Sequence, residues 1–247
     1  MNRFVILGSA NAVAKEKQDN THLLIEGDRK VILVDCGDNP MAKLSMAGSS
    51  IHALTDLVLT HFHADHVGSL PLLIMDMWLE KRTAPLTIHG LEVTIEKAKK
   101  LLDLFGWLDW KDMFPVEFKP VSETGEALIL SDSELKVLAL PVVHLVPTIG
   151  LRVEFGDHRV VAYSCDTEPC QNVLRLASGA DVLLQEAAGA AKGHTSPEQA
   201  GIIARDAGVK KLILIHYDNH IDEEILMAEA RQHFQGEVSL AHDLFEV

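Results

Sequence analysis

Positive charge is scarce in this chain of 247 residues, in which 22 Lys+Arg face 36 Asp+Glu for a formal charge of −14. A protein that grips nucleic-acid phosphates over a broad face draws affinity from counterion release at a basic surface, and this chain repels polyanions on average. Cysteine is rarer: Cys36, Cys165 and Cys170 are the only three. They cannot form a disulfide framework, and an odd number suits a reducing compartment. Long apolar runs are missing too. The run from Phe4 to Leu7 is too short for a signal-peptide core, and no stretch approaches the roughly 18 residues of a membrane span. No low-complexity segment or Pro/Ser-rich linker divides the chain. These absences lead to the expectation of a single domain over residues 1–247, cytoplasmic and without a membrane partner.

What is present is material for a full core: 47% of residues are hydrophobic and 23% charged, which excludes disorder as the main state. Short β-like runs are predicted at residues 3–7, 22–26, 30–34, 56–60 and 86–89, with helices at 68–81 and 93–105. The second half repeats the style, with strands at 134–140, 150–155, 159–163, 181–185 and 211–215. Two such halves packed sheet to sheet would bury one core. A helix from Pro197 has the clearest punctuation, with Ser196 as cap, Gln199 completing a capping box and Gly208 as the stop. Another is predicted over 222–234, opened by acids that suit its positive end. Residues 106–124 read as the longest irregular stretch.

Thirteen histidines are the unusual feature, several of them directly after an apolar run. The densest group is His61-Phe62-His63-Ala64-Asp65-His66, four potential ligands in six residues after the strand at 56–60. In extended chain, residues i and i+2 point the same way, so His61 and His63 can share one cation while Asp65 and His66, on the turn that follows, reach a second. Imidazole with carboxylate suits a borderline cation such as zinc, and also manganese or iron.

This H-x-H-x-D-H pattern resembles the signature of the metallo-β-lactamase superfamily of metal-dependent hydrolases. Four further motifs resemble that family's in order and spacing: Asp35 ending an early strand, His144 after residues 138–143, Asp166 in Tyr163-Ser164-Cys165-Asp166-Thr167, and His216 closing 212–215. The resemblance implies a four-layer αββα sandwich, an α/β fold of two mixed sheets packed face to face with helices outside. It implies two divalent metal ions, zinc ahead of manganese or iron. His61, His63 and His144 would hold one; Asp65, His66 and His216 the other; Asp166 would bridge them. Asp35 would orient the ligand loop by hydrogen bonds rather than bind metal.

Glu186-Ala187 after a strand, followed by His194-Thr195-Ser196 at a helix start, is similar to ribonuclease Z and its phosphodiesterase relatives. There the Glu and His approach the scissile phosphate, which assigns Glu186 and His194, with Asp65, to the chemistry. A helix start favours an anion, and His194 just ahead of it could give a proton to a phosphate oxygen. Two departures stand out. Only 21 residues separate His144 from Asp166, so the long arm that clamps tRNA in ribonuclease Z has no room. Cys165 stands where the family usually has Gly, and reads as a small buried residue. Trp107 and Trp110 fit either core packing or an aromatic wall at the substrate mouth. Among histidines outside the motifs, His22 is the one placed to approach the metals.

The expected activity is therefore that of a dinuclear metal-dependent phosphodiesterase using a metal-bridging hydroxide on a small anionic ester. The alternatives are an armless ribonuclease Z acting on tRNA 3′ ends, an arylsulfatase-like hydrolase, and a non-catalytic metal-binding member of the fold. Nucleic acid is not the favoured partner. A homodimer is common in the superfamily, although no segment here compels one.

Overall fold

Strict alternation sets the faces of the first strands. In β1 (Arg3–Gly8), Phe4 and Ile6 turn to one side and Val5 and Leu7 to the other. β2 (His22–Glu26) and β3 (Val31–Val34) repeat this, with Leu23, Ile25, Ile32 and Val34 on the first side and Leu24 and Leu33 on the second. Because side chains in a strand have period two, a sheet apolar on both faces must be covered on both. The computed structural model describes residues 2–247 and shows how this is done.

One seven-stranded sheet has the order β14-β1-β2-β3-β4-β5-β6, adding β4 (Asp56–Val58), β5 (Leu86–Leu91), β6 (Val116–Val121) and β14 (Phe245–Glu246). The other runs β13-β12-β11-β10-β9-β8-β7, from β7 (Ala127–Ser131), β8 (Leu135–Val142), β9 (Thr148–Phe155), β10 (Val160–Tyr163), β11 (Val182–Glu186), β12 (Lys211–Ile215) and β13 (Glu237–Leu240). Both are mixed: β3 to β6 are parallel and β1 to β3 antiparallel, while β10 to β13 are parallel and β7 to β10 antiparallel. Their inner faces share one core, in which Phe4, Ile25 and Val58 meet Val137, Leu151, Val161 and Ile213. The outer face of the first sheet is covered by α1 (Pro40–Met46), α3 (Leu70–Leu79) and α4 (Glu92–Asp103) through Leu44, Leu73, Ile74 and Ile95. That of the second is covered by α5 (Gln171–Ala177), α6 (Pro197–Ala207) and α7 (Glu223–Arg231) through Val173, Ile203 and Leu226. This is the four-layer αββα sandwich.

The capping box of α6 forms with both bonds, Ser196 accepting from the Gln199 N–H and Gln199 from the Ser196 N–H, and Gly208 closes the helix at φ 68°. Residues 106–124 depart from expectation. They contain a 3-10 turn at Trp107–Asp109 and then β6, an edge strand that tolerates Pro120 because Pro there need not donate to a further neighbour. Among the described residues no helix is long and apolar enough to cross a membrane.

Candidate metal centre

Nearly every strand end predicted to carry chemistry opens on the same edge of the sandwich. Asp35 follows β3; His61, His63, Asp65 and His66 follow β4, the last two on the four-residue helix α2 (Ala64–Val67); His144 follows β8, Asp166 β10 and His216 β12, while Glu186 ends β11. Carboxyl ends of strands in α/β sheets are where a crevice forms, and here two sheets contribute to one. Asp35, Cys165 and His216 all adopt the left-handed backbone region, at φ 63°, 54° and 52°. Such conformations cost roughly 1–3 kcal/mol each and persist where surrounding contacts over-determine them.

Those contacts decide which imidazole nitrogens are free. Asp35 accepts the Thr60 N–H at 2.8 Å, the Thr60 hydroxyl at 2.7 Å and His66 Nδ1–H at 2.8 Å. The Thr60 hydroxyl, its proton given to Asp35, accepts from His61 Nδ1 at 3.1 Å. His144 Nδ1 donates to the Gly193 carbonyl at 2.7 Å. With Nδ1 protonated in all three rings, Nε2 is left as a lone-pair donor.

The lone pairs converge in two groups. His61 Nε2 and His144 Nε2 lie 3.1 and 3.2 Å from His63 Nδ1. One proton on His63 cannot serve both, and a tetrahedral zinc with nitrogens at roughly 2.0–2.1 Å separates them by about 3.4 Å. In the second group, His66 Nε2 is 3.4 Å and His216 Nε2 3.5 Å from Asp65 Oδ2. Asp166 Oδ2 sits between the groups, 3.6 Å from His66 Nε2, 3.4 Å from His216 Nε2, 4.0 Å from His61 Nε2 and 3.9 Å from His144 Nε2. His66 Nε2, both His216 nitrogens and Asp166 Oδ1 are buried without a hydrogen-bond partner. Orphaned donors at this density fit divalent cations as their missing partners.

No Lys or Arg lines the site, whose electrostatics are set by carboxylates and imidazoles. Burial works against charge on Asp65 and Asp166, yet their histidine neighbours hold both carboxyls well below the usual range. Burial and the nearby imidazoles push His61 down. In His66 burial is outweighed by Asp166 and Asp35, which hold the ring above its ordinary value.

The cleft over these residues has a volume of about 240 Å³ and is lined by Asn11, Ala12, Val13, His63, Asp65, His144, Asp166, Ala188, His194 and His216. His194 stands on one wall, its ring stacked 5.9 Å from His216 and edge-on 5.0 Å from His144. Glu186 lies behind it, fully buried. Its Oε1 accepts from Thr167 N, His194 Nδ1 and Thr195 N at 3.0, 3.0 and 3.1 Å, and its Oε2 from Ala188 N at 2.9 Å. The Glu186 hydrogen bond holds the half-buried His194 above the ordinary imidazole value, while burial pushes Glu186 itself up. Glu186 therefore faces His194 rather than the cleft.

Some expectations find a different place. Trp107 is buried beside Phe118 and donates to Asp103 Oδ1, and Trp110 lies tilted against Trp78, ring centroids 5.0 Å apart, beside an apolar hollow formed with Leu72, Met75 and Phe105. Neither lines the metal cleft. His22 is buried and bonded to the Asn20 carbonyl, apart from the ligand groups. Cys165 is fully buried, its Sγ 3.7 Å from His61 Nδ1. Sequence reasoning passed over Thr60, whose position just before the H-x-H run was its only signal. Gly193, just before His194 in the same motif, had no role of its own there, and the wall at residues 11–13 had no signal.

Fold and site have the form of a metallo-β-lactamase superfamily protein, and together with the relatives that follow they mark a metal-dependent hydrolase acting on phosphoester bonds. The sequence model described as anti-Pycsar protein Apyc1 matches residues 2–239, and the chain belongs to that family. It is 30% identical over 272 residues to a ribonuclease Z from Mycobacterium sp. (strain KMS), covering 98% of this chain and 94% of the relative. It is 26% identical to a ribonuclease Z from Methanothermobacter thermautotrophicus, covering 100% and 96%. That alignment spans 304 positions, more than this chain has, so the relative carries insertions absent here. Among solved structures, the metallo-β-lactamase fold protein YhfI from Bacillus subtilis superposes with a TM-score of 0.85 at 22% identity, covering 100% and 98% of the two chains. The short form of human tRNase Z gives 0.79 at 20% identity, covering 99% and 98%. A diphosphatase of the PhnP family shares the fold at a TM-score of 0.75, with 18% identity and coverage of 100% and 97%.

Proposed function

We propose that this protein is a dinuclear phosphodiesterase that hydrolyses a small, loosely held phosphodiester. The observation that carries the reading is His194, held by Glu186 on the wall of the cleft that collects the free imidazole nitrogens. His61, His63 and His144 would hold one ion; Asp65, His66 and His216 the other; Asp166 would bridge, with zinc the metal that best suits the donors. Bound there, such ions supply Lewis acidity toward a phosphoryl oxygen and acidify a coordinated water.

The chain's own residues do the rest. Asp65, kept ionised by its histidine neighbours and the less buried of the two aspartates, orients the attacking water by accepting a hydrogen bond from it. His194 donates Nδ1–H to Glu186, a bond that favours the imidazolium form, and from that form Nε2–H passes to the departing oxygen and leaves the ring neutral. Glu186 acts through His194: its four accepted N–H groups fix the ring and the start of α6. A cleft of about 240 Å³ in a chain of charge −14 suits a small ester, because a local positive focus needs no basic face. Three free cysteines fit a reducing, cytoplasmic compartment. A homodimer would cover part of the exposed apolar side chains Leu72, on α3, and Phe105 and Leu108, in the turns after α4.

A second reading, cleavage of RNA 3′ ends, is favoured by the name ribonuclease Z that curated relatives carry. Purified zinc- or manganese-loaded protein assayed on bis(p-nitrophenyl) phosphate, an aryl sulfate, a thioester and a precursor tRNA separates the readings. Turnover of the phosphodiester with less than about twofold change between 50 and 200 mM salt is expected. RNA cleavage that collapses over that range would instead mark a polyanion substrate. Sulfate or thioester turnover without phosphodiester turnover would sink the proposal.

A further inference from the structure

The His144 ring and the loop that carries His194 are tied together by a side chain that no motif singles out. Glu168 accepts the Gly193 N–H on Oε1 at 2.8 Å, while the Gly193 carbonyl accepts His144 Nδ1–H at 2.7 Å. The main chain of Glu168 grips the other partner: its N–H donates to the Val143 carbonyl at 2.7 Å, pairing the two residues in an isolated antiparallel bridge just before His144. Gly193 is pressed against the imidazole. It has φ +87°, and a Cβ built on it would stand 3.0 Å from His144 Nδ1 and 3.0 Å from Leu145 Cγ. One residue thus holds the segment bearing a metal-ligating nitrogen and the segment bearing the proposed proton donor.

We propose that Glu168 is a positioning residue that sets the spacing between His144 and His194 through Gly193. The inference rests on the phosphodiesterase reading and deepens it. Without the Glu168 acceptor, the Gly193 N–H turns toward solvent and its carbonyl leaves His144 Nδ1. The tautomer that presents Nε2 to the cleft is then no longer selected. His194, the next residue, keeps its anchor on Glu186 and loses the one on its backbone side. What Glu168 supplies is reach, not charge, since a neutral oxygen at the same place accepts the same N–H.

Three full-length variants decide this: Glu168→Ala, Glu168→Asp, one methylene too short, and Glu168→Gln, which keeps an oxygen in place. Each is measured for kcat and KM on bis(p-nitrophenyl) phosphate, for zinc affinity by competition with a chromophoric chelator, and for thermal midpoint. Glu168→Ala and Glu168→Asp are expected to lose about 10–100-fold in kcat and zinc affinity with KM little moved, and Glu168→Gln to stay within about threefold of the natural protein. An active Glu168→Asp beside an inactive Glu168→Gln would overturn the proposal in favour of charge. Unchanged kcat and zinc affinity in a folded Glu168→Ala would overturn it outright, and if that variant does not fold the Asp and Gln pair decides. Should the natural protein fail to cleave the phosphodiester, the phosphodiesterase reading falls, while the order of zinc affinities still judges Glu168.

Discussion

The two ends of β4 carry buried clusters of the same residue types in opposite states. At its start, Asp56 Oδ1 accepts His89 Nε2 at 2.8 Å and Oδ2 accepts Lys30 Nζ at 2.8 Å, so both oxygens of a buried carboxylate are paired within the chain. Past its other end, His66, His216 and Asp166 are as deeply buried, yet between them leave four polar atoms without partners. Leaving a buried donor or acceptor unmade costs about 1–3 kcal/mol, so a fold keeps several together only where something else completes them. The first cluster serves the fold and the second is reserved for a ligand.

Substitution should break the comparison cleanly. His63→Ala removes the nitrogen shared by His61 and His144 and is expected to cut phosphodiester turnover on the order of 10³-fold, beyond the 10–100-fold of groups that only orient ligands. The metal-free thermal midpoint should barely move, while its rise on adding zinc should shrink; calorimetry with and without zinc checks both. His194→Ala is expected to lose about 10²-fold in kcat and keep its zinc, read from steady-state rates and metal content. Asp56→Ala should do the reverse. It strands His89 and Lys30 and costs about 3 kcal/mol in urea denaturation, with kcat of the folded enzyme unchanged.

Acid sharpens the contrast. The hydrogen bonds from His89 and Lys30 outweigh burial and hold Asp56 at about 2, below the roughly 3.9 of an unfolded aspartate. Its contribution of about 2 kcal/mol is complete above pH ~4 and is lost as pH falls through about 2, so Asp56→Asn should flatten the acid limb of stability there. The smallest effect is expected at a site in neither cluster: Ser196→Ala removes one bond of the α6 capping box and should cost about 1 kcal/mol with little change in kcat.

Legibility followed the range of the interaction. The α6 cap was readable because Ser196 and Gln199 are three residues apart in sequence, and the donor types of His61, His63, Asp65 and His66 because the four fall within six consecutive positions. β6 was not, since Trp107, Trp110, Pro115 and Pro120 mask a strand that exists by pairing with β5. Glu186 was readable as an acid at a strand end; that it turns away from the cleft to hold four N–H groups was not. Thr60 had only its place before the H-x-H run as a signal and Glu168 had none, because their partners lie 25 residues away in sequence, at Asp35 and Gly193.

By itself the sequence determined what local sterics and short periods control: the alternating strands with two apolar faces, the capped helices, and the set of imidazoles and carboxylates available as donors. Only the tertiary structure decided which of those donors remain free. That choice depends on the hydrogen bonds by which Thr60, Asp35 and Gly193 accept from Nδ1 of His61, His66 and His144, and on two sheets meeting so that Asp166 reaches both groups. A lone pair is left over only when every competing partner has been placed, and those partners come from strands far apart in the chain.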